Sequence, residues 1–549
     1  VPDSQQPEAA TRVRHALWIV AAVYAGIGLV MMLVASPKVP YADPWRFLAT
    51  FLEQPFPDNI LIADNGHREI LPSLVRLAEL HWFGANQWLQ ILVGMALAVV
   101  TVRMLWRALY CDSPTVRASS ACILAVGLFW LGNARKLSHG NESVHLFIVL
   151  LCLVQGLRCL IGEHPRRGFH AGFAALLASV TFGSGAACFG AFLVIMWLRR
   201  EPLRHYVPML LLAMVGAAAL MTDNDGALLS QDLKLWAHVD QLLRFLGAPF
   251  VWAWSPLLDV AHADRLPFAP LRAVLHPIAA TAQGSFGPAM TARWPATLFG
   301  AIAVLWLTAQ SLAARRYQEP QPRRLFALGI AWFGFGVGLL VVIARCRFFL
   351  ANEDQIVAQR YLPWSMLLWM GLLLTFVQRS VRSARCKVLA VLFAAAAFAP
   401  SQVWTGRYAF RRQMTANQTA IAAAVEVVDR DFDLVETSKP DLLRAQPLLR
   451  DAGKTVWSWP TVQLLGMPIP AGARMLTADH IEVLPVDNLF ARSGCSAQFV
   501  ADSDQDLLLL VDPAGVVQGL AMPASQARQW IGWFRGTQTA SELRIFALN

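Results

Sequence analysis

Apolar runs of membrane-crossing length recur between residues 16 and 405, and they limit the fold more than any other feature of the chain. A helix needs about 20 mostly apolar residues to cross a hydrocarbon core of about 30 Å, where only internal pairing satisfies backbone N–H and C=O groups. Such runs cover 16–36, 87–106, 118–133, 144–162, 169–183, 186–199, 206–222, 294–313, 325–344, 361–378 and 387–405. They predict a polytopic α-helical membrane protein with about eleven transmembrane helices. Between two of them, Phe182-Gly183-Ser184-Gly185 marks either a tight hairpin or a broken helix. The run 242–258 carries Gly247, Pro249 and Pro256 and reads as interfacial or re-entrant. A composition of 56% hydrophobic and 15% charged residues does not suit a soluble enzyme.

The net charge of +10 lies in short clusters between apolar runs, so it predicts membrane topology and no nucleic-acid partner. Arg12 and Arg14, Arg103 to Arg117, Arg166 and Arg167, Arg199 to Arg204, Arg315 to Arg324, and Arg379 to Lys387 fall on alternate loops, which are expected to be cytoplasmic. The intervening loops, long at 37–86 and 223–293, hold most of the acids and are expected to face outward. This places the N-terminus inside a bacterial-type cytoplasmic (inner) membrane, with the first apolar run as an anchor and not a cleaved signal. After the transmembrane domain, residues 1–405, hydropathy drops. Residues 406–549 read as a soluble α+β domain, periplasmic or extracellular, with strands at 507–511, 516–522 and 543–548. Of eight cysteines only Cys495 lies there, so the domain has no internal disulfide.

Residues with chemical potential gather in three outward segments. In the first loop, Asp43 precedes Pro44 and either caps a juxtamembrane helix or acts as a general base at the membrane boundary, where partial burial raises a carboxylate's pKa. Asp64-Asn65-Gly66-His67-Arg68-Glu69 is either a solvated turn or a site. In the second case His67 is a second base, and Asn65, Arg68 and Glu69 orient a sugar or phosphate. Residues 70–83 show helical spacing suited to a helix along the bilayer surface. In the second segment Arg135 and Lys136 break the charge rule, either as headgroup contacts or as ligands for a lipid phosphate, with His139 and Glu142 beside them. The third segment holds Arg345, Arg347, Arg360 and Tyr361. Arg360 with the following helix N-terminus makes an anion site, or else snorkels while Tyr361 and Trp364 join an aromatic belt.

The layout resembles the GT-C superfamily of integral-membrane glycosyltransferases. The resemblance rests on Asp43 just after the first span, a long first outward loop, Glu142 in the second, and a many-span core followed by an extracytoplasmic domain. It implies a polyprenyl-phosphate-linked sugar as donor and a glycan, lipid or protein acceptor, with Asp43 as base. No cofactor is required. His139, His145, Glu142, Glu353 and Asp354 offer divalent-metal ligands, but no HExxH or DxD spacing supports a metal site. Beyond the resemblance, a phosphate leaving group needs cations instead of the proton-donating carboxylate of soluble glycosidases, and Arg345, Arg347, Arg360 and Lys136 answer that need. Two other classes fit the same layout: a transporter or flippase of a lipid-linked saccharide, and a non-catalytic polysaccharide-assembly subunit. In the latter, Trp457, Trp459, Trp530 and Trp533 would stack on sugars instead of packing a core.

Overall fold

A computed structural model describes residues 6–64, 67–221, 235–264, 266, 268–287, 293–316, 321–379, 383–431, 437–524 and 526–548. The chain is mostly helical and folds into two compact units, one of residues 1–34, 61–72 and 91–409, the other of 35–60, 73–90 and 410–549.

Helices cover the apolar runs, with 387–405 divided between Ala384–Phe398 and Ser401–Val425. Among the described residues, seven helical stretches are long and apolar enough to cross a membrane: Thr11–Val34, Trp88–Leu109, Pro114–Leu137, Gly140–Ile161, Arg293–Arg316, Pro322–Ala351 and Glu353–Val377. An eighth is available if Ala384–Phe398 and Ser401–Val425, bent by 41°, act as one. The remaining runs form shorter helices, Arg167–Ser179, Ala187–Leu198 and Leu203–Met221, the first two separated by a 3-10 turn at Gly183–Ala186. A continuous helix, Leu235–Leu258, replaces the expected break at Gly247, Pro249 and Pro256. Proline is tolerated because a neighbouring side chain takes up the carbonyl it frees. The Trp252 carbonyl, four residues before Pro256, accepts the Ser255 hydroxyl at 3.0 Å.

Small residues decide how these helices meet. Gly247 on Leu235–Leu258 and Gly300 on Arg293–Arg316 face each other's helix so closely that a Cβ on either would lie 1.9 Å from a carbonyl oxygen, of Ala296 and Leu243 respectively. Without a strong hydrophobic drive between helices in lipid, such backbone approach supplies the association energy. We expect Gly300→Leu to separate this pair at about 1–3 kcal/mol, seen as a lowered unfolding temperature in detergent, while the same change at Gly26, where a Cβ would meet open space, has little effect.

The second unit combines the first long loop with the C-terminal chain. Seven antiparallel strands, β1 (Arg474–Met475), β2 (Ala478–Pro485), β3 (Gly494–Ala501), β4 (Leu508–Val511), β5 (Val517–Pro523), β6 (Gln529–Arg535) and β7 (Arg544–Ala547), form one sheet in the order β1-β7-β4-β5-β6-β3-β2. Alternate residues of β3, Cys495, Ala497, Phe499 and Ala501, enter a core with Leu508, Leu510, Trp530, Phe534 and Ile545. Trp457, Trp530 and Trp533 are buried, in keeping with packing. The three predicted strands are present, and helix Ser401–Val425 runs across the expected boundary at 405/406.

Loop helix Pro44–Glu53 packs on helix Lys439–Asp451, with Arg46 bridging Asp43 at 3.0 Å and Asp441 at 3.1 Å, and Arg444 paired to Glu53. Helix Ile70–Trp82 forms where helical spacing predicts it, and its Glu79 is fully buried. The carboxylate accepts the Gln90 amide at 3.0 Å, and the amides of Asn86, Gln87 and Leu89 also favour its charge, yet desolvation prevails and lifts its pKa to about 7. Because the folded value is raised above an unfolded value of 4.5, the contribution of Glu79 to stability is full below about 4.5 and is lost as pH rises through about 7. Glu79→Gln is therefore expected to flatten the fall in unfolding temperature between pH 5 and pH 8. An unchanged slope would refute this assignment.

Candidate functional site, a buried charge cluster

Helix Pro114–Phe129 does not continue directly into Gly140–Ile161. The chain passes through a 3-10 turn, Leu131–Asn133, and one helical turn, Ala134–Leu137, fixed by local polar contacts. The Asn133 side chain donates to the Gly127 carbonyl at 3.1 Å, Ser138 donates to Ala134 at 2.6 Å, and the Trp130 indole donates to Ser401 at 2.8 Å. This connection presents Arg135, Lys136 and His139 to the first turn of the next helix, where Glu142 sits and where negative charge complements the helix dipole.

Glu142 is the centre of the group. Arg135 Nε lies 2.8 Å from its Oε1, Lys136 Nζ 2.5 Å from Oε2, and His139 Nδ1 3.4 Å from Oε1. All four side chains are buried to 11% exposure or less. Burying a charge costs several kcal/mol even after relaxation, so such a group persists only when it is paired. Arg135 and Lys136 both reach this carboxylate, in a low-dielectric setting where charges act strongly on one another and on an anion.

Two further segments reach this region. Glu69 Oε2 lies 3.1 Å from His145 Nε2, one helical turn beyond Glu142, and the backbone N–H of Ile70 donates to the Val180 carbonyl at 2.9 Å. Phe182, at the break between two short helices, stacks on His145 at 5.2 Å and on Trp364 at 6.3 Å, and the Lys136 ammonium lies 5.1 Å from its ring centre. Trp364 follows the 3-10 turn Gln359–Tyr361, which packs against Ala134–Leu137. On that side Arg345, non-helical within Pro322–Ala351, donates to the Tyr361 hydroxyl at 3.1 Å, and Arg360 donates to Gln355 at 3.1 Å.

The fold thus gathers Glu69, Lys136, His139, Glu142, Arg345, Arg360 and Tyr361 in the first unit. Arg347 is exposed, and Arg68 donates to the carbonyls of Ala219 and Leu61, each at 3.0 Å. Asn65 lies outside the described residues; His67 belongs to a two-residue hairpin strand, and its side chain is likewise outside them. Asp43 belongs to the second unit. It precedes helix Pro44–Glu53, but its side chain makes no cap, pairs with Arg46 instead, and is 45% exposed. Phe182 is the participant that sequence reasoning passed over. Its signal was the adjacent Gly183-Ser184-Gly185, since a glycine-rich break in an apolar helix marks irregular backbone.

No family model matches the chain, and no curated protein matches it. The cluster's own chemistry therefore carries the functional argument. Glu142→Ala would take from buried Lys136 the carboxylate it pairs with, and we expect a loss of about 3–5 kcal/mol in stability, measured by unfolding in detergent. A loss below about 1 kcal/mol would mean that the cations are solvated and the pairing is incidental.

Proposed function

We propose that the chain is a membrane glycosyltransferase of the GT-C type, which moves a sugar from a polyprenyl-phosphate donor to a glycan, lipid or protein acceptor outside the cytoplasm. The observation that carries this reading is the buried pairing of Arg135 and Lys136 with Glu142, with Arg345 and Arg360 on neighbouring segments. In the transfer, an acceptor hydroxyl gives its proton to a base as its oxygen bonds to the anomeric carbon. The bond from that carbon to the phosphate oxygen breaks, and its electron pair leaves with the phosphate. Fixed cations in a water-poor site stabilise that charge without reorganisation. Asp43 keeps the role of base that the family resemblance gives it. The full complement of about eleven spans, with the N-terminus cytoplasmic and the C-terminal domain outside the inner membrane, belongs to the same proposal.

A second reading has its own support. Ionisable residues buried within helices beside a broken helix, as Lys136, Glu142 and His145 are beside Gly183–Ala186, also suit a transporter of a lipid-linked saccharide. Purified protein in liposomes with a labelled polyprenyl-phosphate sugar separates the two: glycosyl transfer to an acceptor supports the first, and movement of intact donor between leaflets supports the second. For the transferase, Lys136→Gln is expected to reduce turnover about 100-fold and Asp43→Asn by about 100-fold or more at normal protein level. Unchanged product with Asp43→Asn would remove Asp43 from the mechanism, and unchanged product with Lys136→Gln would remove the phosphate site.

A further inference from the structure

A second buried carboxylate organises the opposite ends of several of the same helices. Glu201, in the connection between Ala187–Leu198 and Leu203–Met221, has a side chain only 4% exposed. Arg167 reaches it at 2.9 Å, Arg199 at 2.8 Å and His205 at 2.8 Å. Arg199 also donates to the Ile161 carbonyl at 2.7 Å, which ties in the end of Gly140–Ile161. The end of Arg293–Arg316 joins through Arg315, whose guanidinium bonds the Trp197 carbonyl and lies 4.9 Å from the Trp197 ring centre. Arg200 then donates to the Arg315 carbonyl at 3.3 Å. Glu201 and these carbonyls thus fix Arg167, Arg199, Arg200 and Arg315 in place.

The charge here far exceeds what Glu201 balances. Among the described residues, Arg166, Arg167, Arg199, Arg200, Arg204, Arg315 and Arg316 stand on these helix ends against the acids Glu163 and Glu201. Arg200, Arg204 and Arg316 are exposed. Their exposed neighbours are not polar: Trp197 is 47% exposed, and Leu203, Val207 and Leu312 are exposed as well. A free aqueous anion would match the arginines and leave that apolar rim in water. An acyl chain would match the rim and leave the cations unanswered. Both are matched by one molecule with a phosphate at one end and hydrocarbon at the other, because Arg forms paired hydrogen bonds to phosphate and Trp favours the boundary between headgroup and chain.

We propose that the helix ends around Glu201 form a binding site for an anionic phospholipid, its phosphate held by Arg200, Arg204 and Arg315 and its acyl chain lying along Trp197 and Leu312. Delocalised attraction to a charged leaflet grows with the number of cations and does not depend on which arginine supplies them. The site proposed here does depend on that, because Arg200 and Arg315 are held by specific contacts. It is independent of the transferase reading.

The test is native mass spectrometry of the full-length protein in detergent, titrated with phosphatidylglycerol or phosphatidylcholine, with unfolding temperature followed in parallel. Wild-type protein is expected to retain phosphatidylglycerol at least about 10-fold better than phosphatidylcholine, and Arg200→Gln with Arg315→Gln to lose about 10-fold of that retention, comparable to one or two charge-assisted contacts. Arg528→Gln with Lys454→Gln, an equal charge loss in the second unit, should leave retention unchanged. Equal retention of the two lipids, or an equal loss in both double variants, would overturn the site in favour of non-specific charge. Soluble glycerol phosphate that stabilises the protein as well as phosphatidylglycerol does would overturn the assignment to a lipid. Where the Arg200/Arg315 variant does not fold, Trp197→Ser with Leu312→Ser replaces it. These leave every cation in place and should weaken lipid retention alone, and retention at the wild-type level would refute the proposal.

Discussion

A carboxylate buried among helices must be met by cations, and in the first unit that requirement fixes a connection between two helices and the place where the first loop joins it. Glu142 stands in the opening turn of Gly140–Ile161 and draws Arg135, Lys136 and His139 onto it. One turn later His145 binds Glu69, which brings the first loop to the same helix. Helix propensity and apolar periodicity have no means of specifying these distances. Apolar packing accepts many registers, whereas a buried ion pair tolerates few, because a shift of one residue leaves a charge exposed to hydrocarbon.

This division of labour explains what was legible in the sequence. The apolar runs were legible as helices because their length and hydropathy suit that state. The strands at 508–511, 517–523 and 544–547 were legible from β-rich runs between turns. The helix Leu235–Leu258 was not, since Pro249 and Pro256 are breakers only where nothing else satisfies the freed carbonyls, and Ser255 does so for one of them. For the site, the residue types in each cluster were visible but their partners were not. Lys136 and Glu142 are neighbours in sequence, and their pairing follows from that closeness; the Glu69–His145 pair and the Phe182 stack join residues with no shared local pattern.

The expected domain boundary illustrates the same limit. Hydropathy falls after residue 405, but packing is indifferent to where a segment lies along the chain. Residues 35–60 and 73–90 fold with the C-terminal sheet domain because Arg46 meets Asp441, Arg444 meets Glu53, and Trp45 packs edge-to-face on Trp457 at 6.4 Å. Asp43 is accordingly part of the unit that holds the C-terminal sheet. Its side chain pairs with Arg46 and is 45% exposed.

Glu142 and Glu201 show how one device yields two different outcomes. Each is a buried carboxylate that holds two arginine or lysine side chains and one histidine. Around Glu142 the cations are themselves buried, and Phe182 shields Lys136 from one side, so the field is strong and acts only on what enters the protein. Around Glu201 further arginines are exposed beside apolar side chains, so the field is screened and acts on what lies against the surface. The sequence signature of the two is nearly the same, an acid within a few residues of basic ones in a short connection between apolar runs. What separates a prospective reaction site from a prospective lipid site is the burial of the cations, close to Phe182 in one case and beside exposed Trp197 in the other.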